Sequence, residues 1–144
     1  MSSGKPYFLT GGCLCQAVRY QIHGVCRDVI NCHCENCRRT HGHYAAYLST
    51  EKKSLDIKAG DTLHWYDDQG PGTRRGFCRD CGSSLFWDRG SNSHQISVSA
   101  GTLDDSDELK TIGHVFVSEA GRYYRIDDDL PRYDKGNQGK LELD

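Results

Sequence analysis

The sequence CRDCG at residues 78–82 is a Cys-x-x-Cys pair followed by glycine, a tight turn that aims two thiolates at one metal ion. A second pair lies near the start of the chain, where one residue separates Cys13 from Cys15. In an extended strand, residues i and i+2 project to the same side, so both of these sulfurs can reach one ion. The two pairs therefore predict a four-cysteine zinc site that joins distant parts of the chain and stabilises the fold.

The sequence CHCENC at residues 32–37 offers three thiols within six residues and no obvious fourth ligand. Structural zinc sites are saturated by four protein ligands, whereas catalytic sites keep three and leave one position for water or substrate. Cys32, Cys34 and Cys37 thus predict an open zinc site. Because a zinc ion held by three thiolates is a soft centre, the expected external ligand is another thiol.

Two other arrangements also fit the spacing of these cysteines. The Cys-x-x-Cys pairs at 34–37 and 78–81 could form an ordinary zinc ribbon, which would leave an incomplete set of Cys13, Cys15 and Cys32. A nearby side chain could instead complete the second site and make it purely structural, the candidates being Cys26, His33, His41 and His43. The spacing alone leaves both alternatives open.

The composition favours a metal framework. Hydrophobic residues make up 36% of the 144 residues, so a small core would benefit from added stabilisation. No segment resembles a secretory signal, and no apolar run of about 18 residues could span a membrane. We therefore expect a soluble, cytoplasmic protein whose eight cysteines stay reduced and bind metal. The net charge of −2 argues against nucleic acid as a partner.

Short segments of alternating apolar residues predict a mainly β fold. Val18, Tyr20 and Ile22 fall on one face of residues 17–22, as expected for a half-buried strand. Gly and Asp mark turns between the segments. Further strands are predicted at residues 44–49, 55–58, 62–66, 84–87, 95–99, 114–117 and 123–126.

Only two helices are predicted. One follows Cys34 through about His41, and the other lies around residues 104–110, where Asp residues are placed to cap a helix N-terminus. The chain has no linker, and we expect residues 134–144 to form a polar, frayed tail.

Three motifs resemble, in order and spacing, the glutathione-dependent formaldehyde-activating family, which includes centromere protein V; they are GGCLC at residues 11–15, CHCENCRR at 32–39 and FCRDCGS at 77–83. The sequences HVFV at 114–117 and DDLPRY at 128–133 are similar to that family's closing segment. Tyr123 and Tyr124 depart from it, since a tryptophan is common there. The resemblance covers about residues 8–133, which we take as the zinc-binding domain.

The resemblance implies a single-domain β-tent of short antiparallel sheets with two zinc ions. It assigns the structural zinc to Cys13, Cys15, Cys78 and Cys81. It assigns the open zinc to Cys32, Cys34 and Cys37, and so favours this division over the ribbon. It also implies carbon–sulfur lyase chemistry, in which glutathione and formaldehyde combine to S-(hydroxymethyl)glutathione. A donor near the open zinc would stabilise the adduct oxygen, and the candidates are His33, Arg38 and His41.

A non-catalytic zinc module that binds a partner is the alternative function. The arginine pairs at residues 38–39 and 74–75 could contact phosphates, although the net negative charge makes a nucleic acid the weaker form of this alternative. An exchangeable fourth ligand favours the enzyme, whereas a second site closed by a protein residue favours the module. The sequence does not determine the oligomeric state.

Overall fold

The computed structural model describes residues 5–68, 72–138 and 140–141. Within these ranges the strands are β1 Lys5–Gly12, β2 Arg19–Cys32, β3 Ala45–Glu51, β4 Leu55–Ala59, β5 Leu63–Asp67, β6 Arg74–Cys78, β7 Ser84–Asp88, β8 Gln95–Ser99 and β9 Thr111–Val115. The α-helix α1 spans Glu35–His41, and single 3-10 turns occupy Lys52–Ser54, Ala100–Thr102 and Val117–Glu119. Among the described residues, no helix has the length and apolar character needed to cross a membrane.

The long strand β2 organises the sheet. It has 14 residues and pairs with β1 and β4 near its start and with β3 and β9 near its end. A register shift between Arg27 and Ile30 marks a bulge, which bends a strand and increases its twist. The remaining strands extend the sheet in the order β1-β2-β3-β8-β7-β6-β5, and the pairing of β2 with β9 is parallel. The predicted mainly β fold, a tent of mostly antiparallel pairings with little helix, is confirmed.

The main core lies where the predicted alternation placed it. Val18, Tyr20 and Ile22 are at most 1% exposed, as expected for one face of a strand. They pack in one cluster with Leu48, Leu85, Phe86 and Val98. Two of the predicted metal ligands, Cys13 and Cys78, belong to the same cluster. The core therefore supports the first cysteine motif directly.

The predicted helix around residues 104–110 is wrong, because this segment consists of turns and irregular backbone. The Asp104 carboxylate, which was expected to cap a helix, accepts a hydrogen bond from the Thr10 hydroxyl at 2.6 Å and pairs with Arg19. The hydrogen bond from Arg19 lowers the pKa of Asp104 to about 2. A side chain engaged with β1 and β2 is not available to start a helix.

The predicted strand at residues 123–126 is also wrong, since this segment is a turn followed by irregular backbone. Two strands were missed. β1 contains Pro6 and ends in two glycines, residue types that weaken a strand prediction, yet it pairs with β2 throughout. No strand was predicted at β6, although it pairs with both β5 and β7. The helix predicted after Cys34 is confirmed as α1.

The division into a domain at residues 8–133 and a frayed tail at 134–144 stays a prediction. Residues 139 and 142–144 lie outside the described part of the chain. Before them, the carbonyl groups of Tyr133, Asp134 and Lys135 accept hydrogen bonds from the backbone amides of residues 116–118.

Candidate metal centres

The first cysteine cluster brings together two distant turns. The sulfurs of all four residues lie within 4.8 Å of one another, and the residues are Cys13, Cys15, Cys78 and Cys81. Cys78 ends β6, and Gly82 follows the second pair with a φ of 79°, a left-handed conformation that glycine adopts without steric cost. The first pair lies in a turn after β1 rather than in the extended strand that we expected.

Neutral donors surround these sulfurs. The backbone amide of Val18 donates to Cys13 Sγ at 3.2 Å. The hydroxyl of Thr62 lies 3.2 Å from Cys78 Sγ, and that of Ser83 lies 3.2 Å from Cys81 Sγ. The Ser83 hydroxyl lowers the pKa of Cys81 to about 5. Such donors favour the thiolate forms that a metal requires and orient them.

The spacing of the sulfurs fits a zinc ion. Four sulfurs at about 2.3 Å from a tetrahedral zinc lie about 3.8 Å from one another. The Sγ atoms of Cys13 and Cys15 are 3.6 Å apart, and those of Cys15 and Cys78 are 3.8 Å apart. The first cluster therefore has the donor type, number and separation of a closed zinc site.

The second cluster contains Cys32, Cys34 and Cys37, whose sulfurs also lie within 4.8 Å of one another. Cys32 ends β2, and Cys34 caps the N-terminus of α1 by accepting a hydrogen bond from the Cys37 amide at 3.4 Å. Hydrogen bonding with Cys32 lowers the pKa of Cys34 to about 2. Three sulfurs are thus assembled by one continuous stretch that ends a strand and begins a helix.

The structure does not group the cysteines as a ribbon. Cys34 and Cys37 join Cys32, whereas the pair at residues 78 and 81 joins the pair at 13 and 15. In the described part of the chain, no His, Asp, Glu or further Cys joins the three sulfurs of the second cluster. Both clusters could hold zinc, and the second has one ligand fewer than the closed site.

A cavity of about 820 Å³ adjoins the second cluster. Its wall includes Cys32, Cys34 and Cys37 together with apolar and aromatic side chains. Charged residues of both signs also line it: Arg27, Arg75, Arg89, Glu35, Asp68 and Glu119. The volume lies within the range of small-molecule sites, roughly 300–1,000 Å³. The three sulfurs therefore face a space that could admit a polar, charged ligand.

Arg75 connects the cavity wall to the cysteines, and its side chain is only 9% exposed. Its Nε donates to the Asp68 carboxylate at 2.6 Å, and its Nη1 donates to the Tyr47 hydroxyl at 3.1 Å. Its Nη2 lies 3.9 Å from Cys37 Sγ. Sequence reasoning considered this arginine only as a phosphate contact. It did not predict the contact with Cys37, because Tyr47, Asp68 and Cys37 come from three separate parts of the chain.

The three predicted donors to the adduct lie around the second cluster but not in the cavity wall. Arg38 Nε donates to the Glu119 carbonyl at 3.0 Å. The Nε2 atom of His41 lies 2.8 Å from the Tyr47 hydroxyl, and burial lowers the pKa of His41 to about 4. The neutral His41 ring can accept the Tyr47 hydroxyl proton, and Tyr47 packs with Cys37. Their role as substrate-binding residues stays a prediction.

His33, which lies between Cys32 and Cys34 in the sequence, is fully buried and takes part in a chain of hydrogen bonds. The Asp128 carboxylate accepts from His114 Nε2 at 2.9 Å, His114 Nδ1 lies 2.9 Å from His33 Nε2, and His33 Nδ1 lies 2.6 Å from the Tyr124 hydroxyl. Burial lowers the pKa of His33 to about 4. A neutral His33 ring has one donor and one acceptor nitrogen, so it donates to His114 and accepts from Tyr124. Both ring nitrogens are therefore engaged away from the sulfurs.

The remaining candidates for a fourth ligand also lie elsewhere. Cys26 is buried in the main core, and its thiol lies 3.8 Å from the Gly24 carbonyl. The Nδ1 atom of His43 hydrogen-bonds the Tyr123 hydroxyl at 2.5 Å.

The family model of the glutathione-dependent formaldehyde-activating enzyme matches residues 8–119, which include all seven clustered cysteines. The chain belongs to this family. A crystal structure of a Rhodobacter sphaeroides protein is similar to it, with a TM-score of 0.55 and 23% sequence identity over 85% of this chain and 98% of that chain. This likeness supports the fold. The comparison with curated proteins found no match.

Proposed function

We propose that this chain is a zinc-dependent enzyme of the carbon–sulfur lyase type that acts on a thiol adduct. The reaction we favour is the formation of S-(hydroxymethyl)glutathione from glutathione and formaldehyde, or its reverse. Membership of the family supports a function related to glutathione and formaldehyde. The observation that carries the proposal is the three-cysteine cluster on the wall of a cavity, without a fourth protein ligand among the described residues.

The reaction needs no oxidant or reductant. The thiol gives up its proton, the sulfur bonds to the aldehyde carbon, and the electron pair of the carbonyl π bond moves to oxygen, which takes up a proton. When bound, zinc would lower the pKa of a coordinated thiol and hold it as a thiolate near neutral pH. Cys32, Cys34 and Cys37 would hold this ion, and the closed cluster would hold the structural one.

The cavity wall supplies the other requirements. Glutathione carries two carboxylates and one ammonium group, and the wall presents charged partners of both signs. Apolar side chains such as Trp87 and Phe116 also line this wall. Holding the thiolate and the aldehyde together in such a space converts an encounter in solution into a positioned reaction.

Exchange NMR spectroscopy tests the proposal. We expect the zinc-loaded protein to accelerate exchange between free and adducted glutathione in the presence of formaldehyde. Cys34→Ser should abolish the acceleration, whereas Cys26→Ala, which removes a buried cysteine outside both clusters, should retain it. No acceleration by a protein with two zinc ions per chain, followed by a negative screen of other thiols and aldehydes, would contradict the enzymatic function and favour the interaction module.

We further propose a cytoplasmic location. All eight cysteines are free thiols, and seven of them stand in clusters that need the reduced form to bind metal. Oxidised, disulfide-bonded protein isolated from native cells would contradict this location.

A further inference from the structure

We infer that Arg75 is the group that allows the three-cysteine site to accept a thiolate in preference to a neutral ligand. The inference rests on the proposed function, because it concerns the external ligand of the open site. Arg75 would act as a positioning residue through its fixed charge rather than by contact with the reacting carbon.

The need for such a group follows from the charges. Zinc with three thiolates carries one formal negative charge, and a fourth thiolate raises it to two. Bringing an anion to a site that is already negative is unfavourable, and more so where surrounding protein lowers the local dielectric constant. A neutral ligand such as water or imidazole adds no charge and meets no such opposition. A positive group beside the sulfurs offsets this cost and so favours a thiolate over a neutral ligand.

Arg75 meets this requirement in position and in rigidity. Its Nη2 atom lies 3.9 Å from Cys37 Sγ, and its side chain is only 9% exposed, so water screens its charge weakly. Bonds to Tyr47 and Asp68 occupy its Nη1 and Nε atoms and hold the guanidinium in place. The Tyr47 hydroxyl in turn lies 2.8 Å from His41 Nε2.

Asp68 reduces the positive electrostatic potential that Arg75 produces at the sulfurs. Its carboxylate is 11% exposed and accepts from Arg75 at 2.6 Å, so it offsets part of the positive charge. Two further carboxylates, Glu35 and Glu119, line the same cavity, as do the cations Arg27 and Arg89. Glu35 is paired with Arg39, and a carboxylate oxygen of Glu119 accepts from the Glu35 amide. Arg75 contacts both a cluster sulfur and its own counter-ion, Asp68. Substitution of Arg75 removes the first contact, and substitution of Asp68 removes the counter-ion while Arg75 remains.

Cobalt(II)-loaded protein provides the test, since its visible and near-ultraviolet spectrum reports each new ligand. The probe is 2-mercaptoethanol, whose only charge is that of the thiolate, and imidazole is the neutral comparison. Arg75→Met should weaken the binding of 2-mercaptoethanol roughly ten- to hundred-fold and leave that of imidazole nearly unchanged. Arg74→Met is the matched control, because Arg74 pairs with Asp88 and lies over Trp65, outside the cavity wall.

A second variant keeps the test decisive if Arg75→Met binds cobalt poorly. Asp68→Asn removes the counter-ion while Arg75 stays in place, so 2-mercaptoethanol should bind more tightly and imidazole should not change. A merely structural role predicts weaker binding of both ligands in both variants. Unchanged thiol affinity in Arg75→Met, or no gain in Asp68→Asn when Arg75→Met cannot be loaded, would overturn the inference.

The two proposals fail in different ways. If the wild-type cobalt protein shows no spectral response to 2-mercaptoethanol or to glutathione, the open site takes no thiol and the proposed function fails together with this inference. If the wild type responds and the variants respond equally, only the role of Arg75 fails.

Discussion

The two cysteine clusters are made from the same side chain but differ in what surrounds it. The first unites two turns that are more than 60 residues apart, and neutral amide and hydroxyl groups contact the sulfurs of Cys13, Cys78 and Cys81. The second comes from one short stretch, has three sulfurs, and lies in the wall of a cavity that also includes a buried arginine. A zinc site with four protein ligands is typically structural, whereas a site with three has a position for an external ligand. The groups around an open site influence which external ligand binds there.

The largest expected effect is the loss of the fold when the first cluster is broken. Cys13→Ser should unfold the chain, because structural zinc contributes on the order of 10 kcal/mol, comparable with the whole stability of a domain. Cys34→Ser should remain folded with one zinc per chain. Circular dichroism and metal analysis of the purified variants check both outcomes, with Cys26→Ala as control. Equal unfolding of Cys13→Ser and Cys34→Ser would remove the distinction between the clusters.

Metal removal should also proceed in two steps. A chromogenic chelator should take one zinc rapidly from the cavity side, without change in circular dichroism. The second zinc should leave only as the protein unfolds, because the buried Cys13 and Cys78 anchor that site in the core. Release is followed by chelator absorbance and folding by circular dichroism in the same sample. A single release phase for both ions would contradict the comparison.

The surroundings of the second cluster should respond to acid through His41. Its folded pKa of about 4 lies below the ordinary value of 6.5, so the neutral ring stabilises the fold fully above pH 6.5. This stabilisation is lost as the pH falls from 6.5 towards 4. Between pH 6.5 and 5, wild type should lose about 1 kcal/mol more unfolding free energy than His41→Gln, after allowance for partial exposure.

Urea unfolding of both proteins in excess zinc measures this difference, since the protonation of cysteine is common to both and cancels. The glutamine amide can still contact the Tyr47 hydroxyl. Parallel pH dependence in the two proteins would show that His41 does not contribute.

The smallest effect is expected at the Arg19–Asp104 pair, which lies on the surface near the first cluster. The two side chains are 31% and 42% exposed, and exposed ion pairs contribute less than about 1 kcal/mol. Asp104→Asn should lower the free energy of unfolding by no more than this and leave two zinc ions per chain. Urea denaturation and metal analysis check both values. A loss of zinc would show that the loop at residue 104 supports the cluster.

Local patterns in the sequence predicted the parts of the molecule that depend on neighbouring residues. The alternation of Val18, Tyr20 and Ile22 matches the buried face, and the helix predicted after Cys34 is present as α1. The cysteine spacing indicated three and four sulfurs. The assignment of each cysteine to one of the two clusters followed from the family resemblance. The spacing alone did not decide it, because a zinc ribbon fits the same spacing equally well.

Long-range contacts could not be predicted in this way. Asp104 resembles a helix cap but bonds Arg19 and Thr10, and Tyr124 resembles a strand residue but lies in a loop against His33. Arg75 shows the same limit at the site. Its partners come from β3, from α1 and from the segment after β5, and nothing in the sequence around it indicates that they meet.

The strand β2 begins one residue after Val18, whose amide contacts Cys13, and it ends at Cys32. If both clusters bind zinc, the site with four ligands competes better for a scarce ion and is filled first. Its ion secures one end of this strand before the other end receives any metal. Under the proposed function, zinc shortage would then produce folded chains that lack the second ion and are inactive, and renewed supply would activate them without new synthesis.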